Sequence, residues 1–210
     1  MSANFVLFSQ LNFSPERASE ITRIWHNFFG SDKNKYCLYM PYKMDTNSLL
    51  MITNIESKND AFSEIQNDKF VMFENSIRDH LCSDWRHQVL SLEESIKHAN
   101  SLLPESLFLQ LRHIEVPLNV YSEYLSWRRD TIFAHVKKQD EIEFFLSYHS
   151  VISTEPGVMF LSGFSCSPEI YLNLFNNEGY KKIVKEAGDK YITGGEKGLY
   201  TSLYQRASII

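Results

Sequence analysis

Three polar residues, Gln110, Arg112 and His113, interrupt an apolar run at 107–114. Gln110 and Arg112 stand two apart and share one strand face, while His113 and the leucines take the other. Such a pair on an inward face is costly unless it is hydrated or bound to a ligand. Arg112 needs a negative partner, and the near candidates in sequence are Glu115 and Glu155, or else an anionic ligand. His149 sits in the next strand with Ser150 beside it and Ser153, Thr154 and Glu155 just beyond. Neighbouring strand residues point to opposite faces, so His149 can reach Ser153 but not activate Ser150. No G-x-S-x-G elbow accompanies them. Tyr180 lies on the helix expected to pack over these strands, Phe160 and Ser162 on the strand at 157–164, and Trp127 on a long helix. Gln110, Arg112, Trp127, His149, Phe160, Ser162 and Tyr180 therefore outline a polar-edged aromatic pocket for a small molecule in the second half of the chain.

Other constellations carry less. In Trp127-Arg128-Arg129 the two arginines cannot share a helix face, so at least one is solvated and the other caps an acid or binds an anion. The turn at 193–198 (TGGEKG) offers backbone N–H groups to an anion, but it lacks Gly-Lys-Ser/Thr and opens no helix, so it reads as a connection. His80, Cys82 and His87, with Asp79 and Asp84, match no zinc spacing, and no metal is expected.

These residues need elements to position them. The first half reads as strand 5–11, a helix from Ser14-Pro15-Glu16 to Gly30, strands 36–40 and 49–55, helix 60–80 with an irregularity at Asn67-Asp68, and strand 85–92. Residues 93–106 form a polar, helix-prone connector ending near Pro104. The order then begins again: strand 107–114, helix 118–139, strands 148–152 and 157–164, helix 167–187 and strand 199–205. Between the middle strands, Pro156-Gly157 is the pairing of a type II turn. From 157 to 164 both alternating registers are nearly apolar, so that strand is covered on both sides. The units are 1–92 and 107–210, with 93–106 between them. Phe8-Ser9-Gln10-Leu11 aligns with Phe108-Leu109-Gln110-Leu111, and 52–57 with 161–166, which points to an internal repeat.

Composition narrows the function. The 210 residues, 43% hydrophobic and 22% charged, are those of an ordinary globular chain. A net charge of −5 with no long basic run argues against nucleic acid. Three cysteines without paired spacing suggest reduced thiols and a cytoplasmic location, and no apolar stretch is long enough for a membrane span.

The doubled β-α-β-β-α-β order, with segments such as 50–73 (LMITNIESKNDAFSEIQNDKFVMF), resembles the dimeric α+β barrel superfamily. That group includes the antibiotic-biosynthesis monooxygenases, stress-responsive dimeric barrel proteins and haem-degrading monooxygenases. The resemblance implies an α+β fold in which two tandem ferredoxin-like units form an intrachain version of the dimeric barrel. It implies a cofactor-independent oxygenase of specialised metabolism acting on an aromatic or polyketide-like substrate. There His149 would serve as base, Arg112 would stabilise an enolate with Tyr180 beside it, and Gln110, Trp127, Phe160 and Ser162 would hold the ligand. The alternative is a non-catalytic barrel that binds or senses a small ligand. A homodimer is compatible with either. The haem-degrading branch carries a tryptophan at what is Ile65 here and a histidine ligand at what is Asn75; the second-half counterparts are Leu174 and Val184 or Lys185. Neither half has the pair, so no haem is expected.

Overall fold

The computed structural model describes residues 2–44, 47–195 and 198–207. Eight strands close into an antiparallel barrel: β1 (Phe5–Asn12), β2 (Tyr36–Pro41), β3 (Ser48–Ile55), β4 (Arg86–Lys97), β5 (Phe108–Ile114), β6 (Phe144–Ile152), β7 (Val158–Phe164) and β8 (Leu199–Arg206). Their order around the barrel is β1-β3-β2-β8-β5-β7-β6-β4. Within the first half the sequence is β4-β1-β3-β2 and within the second β8-β5-β7-β6, the same relative order. The halves join where β2 pairs with β8 and β4 with β6.

Alternation divides the side chains into two layers. One register of each strand fills the barrel with Val6, Phe8, Tyr39, Leu50, Ile52, Leu90, Leu109, Leu111, Leu146, Tyr148, Met159, Leu161 and Tyr204. The other register faces outward and is covered by helices. Over the first half lie α1 (Ala18–Phe29), α2 (Asp60–Gln66) and α3 (Asp68–Ile77), with Trp25, Phe29, Phe70 and Phe73 packed on Leu38, Leu49 and Met51. Over the second half lie α4 (Tyr121–Arg128), a π-helical turn at Arg129–Phe133, α5 (Ala134–Val136), α6 (Pro168–Asn173) and α7 (Glu178–Lys190). All seven residues of β7 are buried, as a strand covered on both faces requires.

Several local expectations change. Residues 93–97 continue β4 and pair with β6 through two register irregularities, between Leu92 and Glu94 and between Ser95 and Lys97, so the helix-prone reading of that segment is corrected: partner strands override local propensity. The helix at 167–187 is two helices, because Asn177 caps a new one by accepting the Tyr180 N–H at 2.9 Å. The break at Asn67 is as read, its side chain accepting the Phe70 N–H at 2.7 Å. Gly157 takes a positive φ of 134°, and a Cβ there would lie 2.4 Å from the Ile114 carbonyl oxygen. Glu196 and Lys197 of the glycine-rich turn lie outside the described residues.

Candidate functional site

Gln110 and Arg112 face the helix layer, and this corrects their reading as an inward pair. The barrel interior takes the leucine register of β5, so its polar register turns outward beneath α6 and α7. Across the sheet, Thr201, Arg112, Phe160 and Ser147 form one row of neighbours, and Gln110, Ser162 and Phe145 form the next.

Among the described residues, the hydrogen-bond partners of Arg112 are neutral hydroxyls. Its Nε donates to Thr201 Oγ1 at 3.0 Å and its Nη1 to the Tyr180 hydroxyl at 3.4 Å, a long contact. Among the described residues no carboxylate forms an ion pair with it. Glu155, a partner suggested by sequence, is engaged elsewhere, accepting from Tyr200 at 2.7 Å and Gln88 at 3.3 Å. Gln88 and Tyr200 belong to the barrel's interior register, so Glu155 serves that side of the sheet. Burial raises the Tyr180 phenol above its ordinary pKa, against the opposing pull of the Arg112 charge.

Arg112 and Tyr180 stand between two spaces. Outside them is an apolar cleft of about 160 Å³ walled by Ile132, Ile183, Val184, Ala187 and Leu199. Inside is a chamber of about 10 Å³, room for about one water molecule, lined by Gln110, Phe145, Phe160, Ser162 and Phe175. Gln110 Oε1 accepts from the Tyr171 hydroxyl at 3.1 Å, and Tyr171 stacks on Phe164 with ring centres 3.8 Å apart. Ser162 is 1% exposed, and its hydroxyl, although near Tyr171, makes no hydrogen bond among the described residues.

The structure thus gathers Gln110, Arg112, Phe160, Ser162 and Tyr180 in one place. It does not bring His149 and Trp127 to them. His149 lies two strands from Ile114 in its row, with its ring 5.3 Å from Tyr121. Trp127 packs on Tyr124 and Tyr191 at 6.1 and 5.1 Å. The α7 wall was missed, although Tyr180, Ile183, Val184 and Ala187 recur at the spacing of one helical face.

Arg128 plays another part. It is fully buried, and its Nη2 donates to Glu94 Oε1 at 2.8 Å and Glu93 Oε2 at 3.1 Å. Arg129, largely exposed, also reaches Glu94, at 3.0 Å. Burial alone would raise the Glu94 pKa, but the Arg128 and Arg129 hydrogen bonds bring it below the usual carboxylate value. The guanidinium also lies 5.1 Å from the Phe133 ring centre. This clasp ties α4 to the extension of β4 that sequence reading had made a connector.

Comparison with known proteins gives the fold. No family model matches the sequence, and no curated protein matches it. Among solved structures the chain is similar to an anthrone oxidase-like protein at 10% identity, with 97% of this chain and 91% of that one covered and a TM-score of 0.70. It is similar to a "putative monooxygenase" from Fusobacterium nucleatum at 11% identity, covering 99% and 94%, with a TM-score of 0.69. A heme-degrading enzyme from Listeria monocytogenes is similar at 7% identity, covering 96% and 98%, with a TM-score of 0.56. At these identities the likeness shows a shared α+β barrel fold and does not assign an activity.

A haem does not fit the residues present. The cleft is about 160 Å³, Val184 and Lys185 occupy the position of the expected ligand, and His135, whose ring lies 4.8 Å from that of Tyr180, has its Nε2 engaged with the Leu174 carbonyl at 3.0 Å. Among the described residues no group of three or more His, Cys, Asp or Glu side chains is placed to hold a metal ion. No helix among them is long and apolar enough to cross a membrane.

Proposed function

We propose that the chain is a tandem pair of ferredoxin-like units whose second half binds a small aromatic molecule carrying an ionised oxygen, and oxygenates it. The observation that carries this reading is Arg112: a half-buried guanidinium at the back of an apolar cleft, with hydroxyl partners and, among the described residues, no carboxylate. A cation so placed lacks a countercharge that a ligand can provide. A cleft of about 160 Å³ suits a single aromatic ring. The monooxygenase and oxidase names of structurally similar proteins agree with this reading.

The chemistry assigned to this site needs few groups. An activated C–H of the substrate loses a proton, and Arg112 favours the resulting enolate or phenolate over its conjugate acid. The anion passes electrons to dioxygen. In the full reaction at a methylene, one oxygen atom remains as the carbonyl, the other leaves as water, and all four electrons come from the substrate. His149 is too far from Arg112 to be assigned as base, so the site selects the anion as it forms in solvent.

One observation favours a second reading, a binding protein without turnover: among the described residues no His, Asp or Glu side chain lines the cleft or the chamber. Oxygen uptake separates the two. Purified protein with an electron-rich one-ring phenol, and no added cofactor, should consume oxygen above the spontaneous rate, and Arg112→Met should abolish the excess. Saturable binding without uptake supports the second reading; neither binding nor uptake overturns both.

A further inference from the structure

The inner chamber has a feature that the cleft alone does not explain, and the inference drawn from it rests on the reading of that cleft as a ligand site. Ser162 Oγ is buried and makes no hydrogen bond of ordinary geometry among the described residues; it has only a looser polar contact with the Tyr171 hydroxyl, which donates to Gln110, and it lines a space walled mainly by Phe145, Phe160 and Phe175. Buried hydroxyls normally find a partner, and leaving one unmet is destabilising. The chamber is too small for a ring but large enough for one oxygen-sized group. Arg112 and Tyr180 line both this space and the cleft, and the contact joining them is the 3.4 Å hydrogen bond.

We propose that the chamber is the subsite for the ligand's charged oxygen, with Ser162 and Arg112 as its two donors, and that the Arg112–Tyr180 contact is a partition the ligand opens. The ring stays in the apolar cleft while its carboxylate or phenolate enters between Arg112 and Tyr180. Arg112 exchanges its long bond to a neutral phenol for a charge-assisted one, and keeps the 3.0 Å bond to Thr201 that anchors its Nε. Gln110 is fixed by Tyr171 and forms the back wall. The ligand class that follows is a one-ring aromatic acid, with the anionic group attached directly or through a short link. The uncharged amide of the same shape should bind less well, because it offers Arg112 no charge.

Benzoate and benzamide are the probes, titrated into the full chain by calorimetry, with circular dichroism to confirm folding of each variant. The wild type should prefer benzoate by about tenfold or more, as expected when a hydrogen bond to a charged group is added. Ser162→Ala removes one oxygen from a tight wall and should weaken benzoate by about tenfold while benzamide changes less; Arg112→Met should erase the preference. Folded Ser162→Ala protein that binds benzoate like the wild type overturns the chamber subsite and leaves the cleft reading standing. A wild type that binds neither probe overturns the cleft reading and the subsite with it.

Discussion

Replacing Arg112 with methionine should leave the empty protein nearly as stable as the wild type, within about 1 kcal/mol. The substitution removes two hydrogen bonds, to Thr201 at 3.0 Å and Tyr180 at 3.4 Å, each contributing on the order of 0.5–1.5 kcal/mol at most. Thr201 is exposed and recovers its bond from water, and methionine relieves the desolvation of a half-buried cation while keeping most of the apolar volume. Arg128→Met is the internal control. There the charge is fully buried on Glu93 and Glu94, and removing one partner of a buried pair costs about 3–5 kcal/mol. Because those carboxylates are 23% and 24% exposed, the expected loss falls to about 2–3 kcal/mol. Urea unfolding followed by circular dichroism measures both variants under identical conditions. A loss of several kcal/mol at Arg112, equal to or above that at Arg128, would refute the claim that Arg112 lacks an internal countercharge.

Two further predictions concern the frame of the site. Phe160, 3% exposed and packed on Phe145 and Phe133 at 5.3 and 5.8 Å, should cost about 3–5 kcal/mol on truncation to alanine, while Lys182→Ala on the exposed face of α7 should change stability by less than about 0.5 kcal/mol; equal effects would contradict the assigned layers. His87, bonded to Ser9 at 2.9 Å, has its pKa lowered by burial, with Asp84 opposing, so the unfolded chain binds the proton more readily. Stability should therefore fall as pH drops below the unfolded value of about 6.5 toward the folded one, and His87→Gln should flatten that part of the profile in unfolding measured from pH 7.5 to 5.

Much of the fold could be read from periodicity. Alternation correctly placed Val158, Phe160 and Phe164 on one face of β7 and Met159 and Leu161 on the other, because each register has its own apolar layer. Helical spacing correctly separated Arg128 from Arg129, and the first proved buried and the second solvated. Period two put Gln110 and Arg112 on one face but could not say toward which layer; that depends on barrel closure, which is non-local. The same holds at residues 93–97, where helix-prone side chains become strand because β6 supplies the hydrogen bonds. Of the site, Gln110, Arg112, Phe160, Ser162 and Tyr180 were legible as polar or aromatic residues in strongly patterned elements. His149 misled because proximity in sequence to a polar turn does not measure a distance across strands. Tyr171 escaped notice since its role, fixing Gln110, is visible only once α6 lies over β5.

The central claim is that a small aromatic anion binds between the second-half sheet and α7, with its charge on Arg112. Amide chemical-shift mapping of isotope-labelled protein titrated with benzoate tests it most directly. The account predicts saturable shifts clustered at Arg112, Ser162, Tyr180, Ala187 and Leu199, with Phe8, Leu50 and Leu90 in the barrel interior unmoved; shifts confined to the interior or the first half, or none up to millimolar benzoate, would contradict it.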